Sequence, residues 1–117
     1  MQPPTVQDRD RRDRERRSSG RVRLQQTVSI HIPDGPGSKR ALTGELVDVA
    51  VDGRGAAVLV ALGQSVPIGC DVSLRLADGQ HVTCVVVSWL GLKRCGRVGM
   101  RVHETGHALM RSLAGAG

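Results

Sequence analysis

Two short polar segments of this 117-residue chain have residue types and spacing suited to binding an anion. The first, RRSSGR at residues 16–21, contains an R-x-x-x-R pattern made by Arg17 and Arg21. The second, DVAVDG at residues 48–53, begins with Asp48. A guanidinium group can donate paired hydrogen bonds to a phosphate or to the acceptor edge of a purine, and a carboxylate accepts from N–H groups. The two segments are therefore candidates for a site that binds an anionic ligand.

Each segment also has a plain structural interpretation. An arginine-rich stretch contains R-x-x-x-R by chance, and Arg12 with Arg16 has the same spacing. Asp48 can be a turn residue, and Asp52-Gly53 is a typical hairpin signal. The pattern that ends at Arg21 is distinguished by its position, because Arg21 is the first residue of a predicted strand.

A literal H-E-x-x-H sequence at residues 103–107 is the strongest enzymatic signal in the chain. In zinc proteases both histidines lie on one helix and bind the metal, and the glutamate acts as a base. Here His103 continues a strand pattern, Gly106 weakens the required helix, and no His, Cys, Asp or Glu follows His107. We interpret the match as accidental. With no phosphate loop or nucleophile elbow elsewhere, we expect no enzymatic activity, no metal and no cofactor.

Composition restricts the partners and the compartment. The formal net charge of +6 favours anionic partners without choosing among them. The odd number of cysteines and their spacing argue against a disulfide framework; Cys84 is predicted to be a buried hydrophobe and Cys95 an unreactive thiol. No apolar run approaches the roughly 20 residues of a membrane span, and the charged N-terminus is unlike a signal peptide. We expect a cytoplasmic protein without membrane insertion.

Six strands are predicted from apolar alternation and turn signals. In the first, from Arg21 to about residue 32, apolar residues occupy the even positions, with Gln26 as the exception. The others are expected at about 42–51, 56–62, 71–76, 81–90 and 98–102. The third is nearly all apolar, which predicts burial on both faces or a position at a barrel seam. A short helix is expected from Thr105 to Leu113.

The predicted fold is all-β: a six-stranded antiparallel barrel with a short C-terminal helix and a flexible arginine-rich N-terminal tail. A closed barrel leaves no strand edge exposed. The only aromatic residue, Trp89, is expected in the core, which must otherwise consist of aliphatic side chains. We expect a flexible charged tail at residues 1–15, the barrel domain at residues 16–113, and a disordered C-terminus at residues 114–117.

The order of these motifs resembles the PilZ family, whose members are typically receptors for cyclic di-GMP. The family pattern is R-x-x-x-R just before the first strand, followed by [D/N]-x-S-x-x-G at the end of the second. PIGCDV at residues 67–72 is similar to the family's turn into the fourth strand. VVVSW at residues 85–89 and RVGMRV at residues 97–102 are similar to its closing strand pair. The resemblance covers about residues 16–110 and implies a PilZ-like β-barrel.

The resemblance also implies a cyclic di-GMP site. Arg17 and Arg21 would bind phosphate and guanine, with Arg16 as a helper, and Asp48 would accept hydrogen bonds from guanine N1–H and N2–H. Gly53 would let the backbone approach the ligand without an intervening Cβ atom. Ligand binding would then change the conformation of the N-terminal segment and regulate a protein partner in motility, exopolysaccharide production or a related bacterial output.

One position departs from the family pattern, because Ala50 stands in place of the serine. A neutral hydrogen bond contributes on the order of 0.5–1.5 kcal/mol, so we expect weakened rather than abolished binding. The alternative is a PilZ-like protein–protein adaptor that has lost ligand binding. Non-specific nucleic-acid binding by the basic tail is a third hypothesis; we expect no nucleic-acid partner, because a single aromatic residue supports little base stacking.

Overall fold

A computed structural model describes residues 20–33, 36–61, 63–64 and 66–116 of the chain. These residues form six strands and one α-helix. The strands are β1 (Arg21–Pro33), β2 (Lys39–Ala50), β3 (Gly55–Ala61), β4 (Asp71–Arg75), β5 (His81–Gly91) and β6 (Cys95–Val102). A 3-10 turn, Glu104–Gly106, leads into the helix α1, His107–Ala116. All six predicted strands are confirmed, whereas the tail at residues 1–15, Arg16 and Arg17 lie outside the described residues.

The strands close into an antiparallel barrel in the order β1-β2-β3-β6-β5-β4. Most neighbours in the barrel are also neighbours in the chain, as hairpin connections favour. Two pairings join strands that are not consecutive in the chain: β3 pairs with β6, and β1 pairs with β4. In the second pairing, Ser29 to His31 lie opposite Ser73 to Arg75. The predicted fold class, an all-β six-stranded barrel with a C-terminal helix, is confirmed. None of the helices in the described part of the chain is long and apolar enough to cross a membrane.

The barrel interior is aliphatic, as the composition requires. Val28, Ile30 and Ile32 follow the predicted even positions of β1 and are at most 3% exposed. Cys84 is fully buried in β5, which confirms its prediction as a small hydrophobe, and burial raises the pKa of its thiol to about 12. Trp89 is half-buried and packs against this core.

Helix α1 begins two residues later than predicted and continues past the predicted end at Leu113. Met110 and Ala114 are buried in the hydrophobic core, and Leu113 packs against it. Burial of Ala114 explains why the helix runs through residues that we expected to be disordered, because tertiary packing supplies most of the stability of a short helix.

Three register shifts interrupt the strand pairing, and those in β2 and β5 change which side chains face outward. From Leu46 to Asp48, β2 advances two residues while β3 advances one, so Val47 is an extra residue. Leu46 faces the interior before the bulge and Val49 faces it afterwards, both with no exposure. Asp48 and Ala50 are thereby directed to the outer surface, because a bulge inverts the alternation of a strand. A similar shift between Val86 and Ser88 in β5, and another between Arg23 and Gln26 in β1, lie in the same part of the barrel.

Candidate functional site

Small residues form a shallow floor on the outer face of the barrel. Asp48, Ala57, Gly99 and Ser88 lie side by side on β2, β3, β6 and β5. The two middle positions carry almost no side chain, which leaves a cavity of about 160 Å³ above the sheet. The Ser88 hydroxyl lies directly against Gly99, in space that a Cβ atom would otherwise occupy. A flat group can therefore approach the sheet closely at this point.

Asp48 is held at the edge of this floor by two arginines. Its Oδ2 accepts hydrogen bonds from Arg21 Nη1 at 3.3 Å and from Arg97 Nη2 at 3.1 Å. The Asp48 side chain is 15% exposed, against 53% for Arg21 and 36% for Arg97. Its other oxygen, Oδ1, is buried and accepts no hydrogen bond from any residue that the structure describes. A buried acceptor without a partner is costly, so an N–H group of a ligand would satisfy Oδ1 once the carboxylate turns toward the cavity.

The charge of the site favours an anion. Arg21 and Arg97 share a single carboxylate, so one positive charge remains uncompensated among the three groups. Both guanidinium groups contact the same oxygen, and each retains further donors. Arg23, opposite Asp48 on β1, and Arg101, opposite Gly55 on β6, add positive charge beside the cavity. The site can therefore bind a ligand with phosphate groups and a donor edge together.

The structure brings three of the predicted site residues together. Arg21, Asp48 and Ala50 all line the cavity, and Arg21 lies directly opposite Ala50 in the β1–β2 register. Ala50 presents a methyl group where the family's serine would present a hydroxyl. Gly55, which follows the second motif, lines the cavity as well.

Gly53 is not part of the cavity lining. It is buried, its φ is +77°, and a Cβ atom on it would collide with the carbonyl oxygen of His107. Both features require glycine, because L side chains rarely adopt this φ and none fits against the α1 backbone. In the structure Gly53 seats α1 against the turn that follows β2.

Arg97 is the site residue that sequence reasoning missed. In β6 the interior side chains Val98 and Met100 alternate with Arg97, Gly99 and Arg101, so an outward arginine could be recognised. The pairing of Arg97 with Asp48 could not be predicted from the sequence, because the two residues are 49 positions apart and meet only when β6 pairs with β3. Ser88 was missed for the same reason.

The H-E-x-x-H histidines have other partners in the structure. His107 Nε2 donates to the carbonyl oxygen of Val102 at 2.8 Å, and His103 Nε2 donates to Asp71 Oδ1 at 3.4 Å. A larger cavity of about 430 Å³ lies beside them, between the end of β6 and the start of α1. Within residues 20–116, where described, no three His, Cys, Asp or Glu side chains are grouped to hold a metal ion.

Comparison with known proteins supports the fold. No protein-family model matches the chain, and no curated protein matches its sequence. The PilZ domain of Escherichia coli YcgR with c-di-GMP matches with a TM-score of 0.61 and 14% identity, over 82% of this chain and 86% of that one. The Bacillus subtilis inhibitor of motility, MotI/DgrA, matches with a TM-score of 0.58 and 15% identity. A crystal structure of E. coli YcgR in complex with c-di-GMP matches with a TM-score of 0.55 and 14% identity.

The chain corresponds to only part of two of these proteins. The match to the Bacillus protein includes 82% of this chain and 46% of the Bacillus chain. The match to the YcgR complex includes 80% of this chain and 40% of the YcgR chain. The closed barrel described above therefore has the PilZ-domain fold. The family resemblance drawn from the sequence is confirmed at the level of the fold.

Proposed function

We propose that this chain is a PilZ-type, non-enzymatic receptor that binds cyclic di-GMP at the outer-face cavity beside Asp48. The observation that carries the proposal is the geometry of Asp48. Its Oδ2 is bound by Arg21 and Arg97, while its buried Oδ1 has no partner among the described residues. A guanine base matches this arrangement, because N1–H and N2–H donate while O6 and N7 accept.

Each part of the cavity has a counterpart in the ligand. Asp48 would read the donor edge of one guanine, and Arg21 and Arg97 would contact its acceptor edge or a phosphate. The floor at Ala57 and Gly99 is open to the flat face of a base. Two of the three structures named above are complexes with c-di-GMP, which supports this choice of ligand.

Arg17 and Arg16 are proposed to contact the same ligand from the N-terminal segment. The Val51 N–H donates to the Gly20 carbonyl at 2.7 Å, which anchors the start of β1 beside the site. Four residues of extended chain span at most about 14 Å, so Arg17 is within reach of a ligand bound at Arg21. Recruitment of these arginines would change the N-terminal conformation and thereby the surface that a protein partner contacts.

Calorimetric titration with cyclic di-GMP, with GMP as the control ligand, tests the proposal. We expect binding by the full chain and a roughly 10–100-fold weaker affinity for Arg21→Ala and Arg17→Ala, because a charge-assisted hydrogen bond contributes about 1.5–3 kcal/mol. Arg75→Ala is the matched control, since Arg75 is an exposed arginine on β4 that does not line the cavity. Absence of heat at about 100 µM ligand, well above the micromolar range of specific sites, would contradict the proposal.

Ala50 is the observation that favours the second candidate, an adaptor that no longer binds the nucleotide. The methyl group of Ala50 supplies no hydroxyl to the cavity that it lines. In that case the titration is silent, and the same protein partner is recovered with and without cyclic di-GMP. Titration of the unmodified chain distinguishes the two, and Ala50→Ser then tests the cause: it should increase affinity in a receptor and produce a first binding signal in an adaptor that lost the nucleotide through the missing hydroxyl.

A further inference from the structure

The turn between β5 and β6 exposes two leucines that no function described above uses. Leu90 is 57% exposed and Leu92 is 41% exposed. Gly91, between them, is exposed as well. Exposed apolar side chains are common singly, but two on one turn form a compact apolar point on the surface.

Positive charge lies next to these leucines. Lys93 and Arg94 follow directly and are exposed, and Arg97 lies opposite Leu90 in the β5–β6 register. No acidic residue occurs from residue 90 to residue 97. The turn therefore combines two exposed leucines with two exposed cations, Lys93 and Arg94, that follow them directly.

The turn is held in a fixed shape. The Leu92 N–H donates to the Cys95 carbonyl at 2.8 Å, which closes the turn. Below it, the Trp89 ring lies directly over Gly96, where any Cβ atom would collide with the indole. The leucines are therefore presented on a rigid hairpin. The hairpin lies at the end of the barrel where Ala61 pairs with Cys95, away from Gly53 and α1.

We propose that this hairpin turn, residues 90–94, docks the protein on the surface of an anionic phospholipid membrane. Burial of leucine side chains at the boundary between headgroups and acyl chains stabilises binding, and lysine and arginine side chains contact the phosphates of the headgroups. Two exposed leucines with two exposed cations beside them match this layered surface. The contact is shallow and interfacial, which distinguishes it from a spanning segment.

The experiment uses the full chain, phosphatidylcholine vesicles with and without phosphatidylglycerol, and no cyclic di-GMP. Trp89 is the only tryptophan of the chain and is adjacent to Leu90, so its emission reports on this turn. We expect co-sedimentation with the phosphatidylglycerol vesicles, a blue shift of Trp89 emission, and weakening of both by salt. Leu90→Ser with Leu92→Ser, and separately Lys93→Gln with Arg94→Gln, should each reduce binding roughly tenfold.

Two matched variants control for general surface effects. Val51→Ser removes an apolar side chain that is 49% exposed at the other end of the barrel, and Arg75→Gln removes an exposed arginine. Both should bind vesicles like the unmodified chain. Circular dichroism verifies that every variant is folded.

Three outcomes would overturn the proposal: no binding of the unmodified chain to anionic vesicles, binding that the four turn substitutions do not affect, or a loss caused by the charge substitutions alone. The last would indicate a general polyanion contact, for which heparin binding in parallel is the check. Because the vesicle experiment contains no nucleotide, its result is independent of the cyclic di-GMP titration.

Discussion

At the scale of residues, Asp48 is the centre of the candidate site because it is the least exposed of the three charged groups that meet there. A partly buried carboxylate needs cationic partners. Arg97, the less exposed arginine, can keep this pairing while the more exposed Arg21 turns toward a ligand. In the proposed complex, binding at Asp48 Oδ1 would then add a hydrogen bond without leaving the carboxylate uncompensated.

Cys84 gives the protein a defined alkaline sensitivity. Its folded-state pKa is raised to about 12 from the ordinary value of 9.0. Between these values the unfolded chain loses the thiol proton and the folded chain keeps it, so the free energy of unfolding falls as the pH rises, by up to about 1.4 kcal/mol per pH unit. Urea unfolding between pH 8.5 and pH 10.5 should show a steeper decline for the unmodified chain than for Cys84→Ala. Equal slopes would contradict the assignment, whatever the difference in overall stability.

At the scale of elements, the turn after β2 connects the candidate site to α1. Asp48 and Ala50 line the cavity on one side of this turn, and Gly53 contacts the α1 backbone on the other. The Gly53 N–H donates to the Ala50 carbonyl at 2.9 Å, so the two ends of the turn are joined. The position of α1 is therefore set by the same short segment that carries Asp48.

Gly53→Ala should destabilise the protein strongly. The new Cβ atom combines backbone strain of roughly 1–2 kcal/mol with displacement of α1, for a total of at least about 3 kcal/mol. Gly37→Ala is the matched control, because Gly37 has a similar φ of +72° and open space around it. Gly37→Ala should lower the free energy of unfolding only by the backbone strain, roughly 1–2 kcal/mol. Chemical denaturation of both variants tests the contact, and equal losses would show that α1 does not press on Gly53.

The six strands were largely predictable from the sequence, whereas the β-bulges within them were not. Period-2 alternation in β1 and β4 and the glycine turns placed all six strands. Nothing in the run from Leu42 to Ala50 marks Val47 as an extra residue, because valine fits either face of a strand. The bulge follows from pairing with β3 and decides that Asp48 faces outward.

At the scale of the whole molecule, the positive charge lies after residue 15 rather than in the extreme N-terminal segment. Residues 1–15 contain four arginines, at positions 9, 11, 12 and 14, and four acidic residues, at positions 8, 10, 13 and 15. They cancel, so the formal charge of +6 is carried by residues 16–117. Long-range attraction of an anionic ligand is then a property of the barrel and the arginines next to it.

Deleting residues 1–15 should therefore have little effect on ligand binding. We expect cyclic di-GMP affinity within about twofold of the full chain, and a similar dependence on salt, since the deleted segment has no net charge. Calorimetry at two salt concentrations is the measurement. If the deletion abolishes cyclic di-GMP binding, residues before Arg16 have a direct role in that binding. If the full chain binds single-stranded DNA and the deletion abolishes this binding, the nucleic-acid hypothesis is favoured.

The sequence by itself determined the strand content, the aliphatic core and the two polar segments, because these depend on residue type and local spacing. It also placed Arg21 at the start of β1 and Asp48 near the end of β2. Only the tertiary structure decided that Arg97 completes the pair on Asp48 and that Gly53 serves α1. Both depend on contacts between residues far apart in the chain, which form when the barrel closes. The small-residue floor has the same origin, because Ala57, Gly99 and Ser88 become neighbours only across three paired strands.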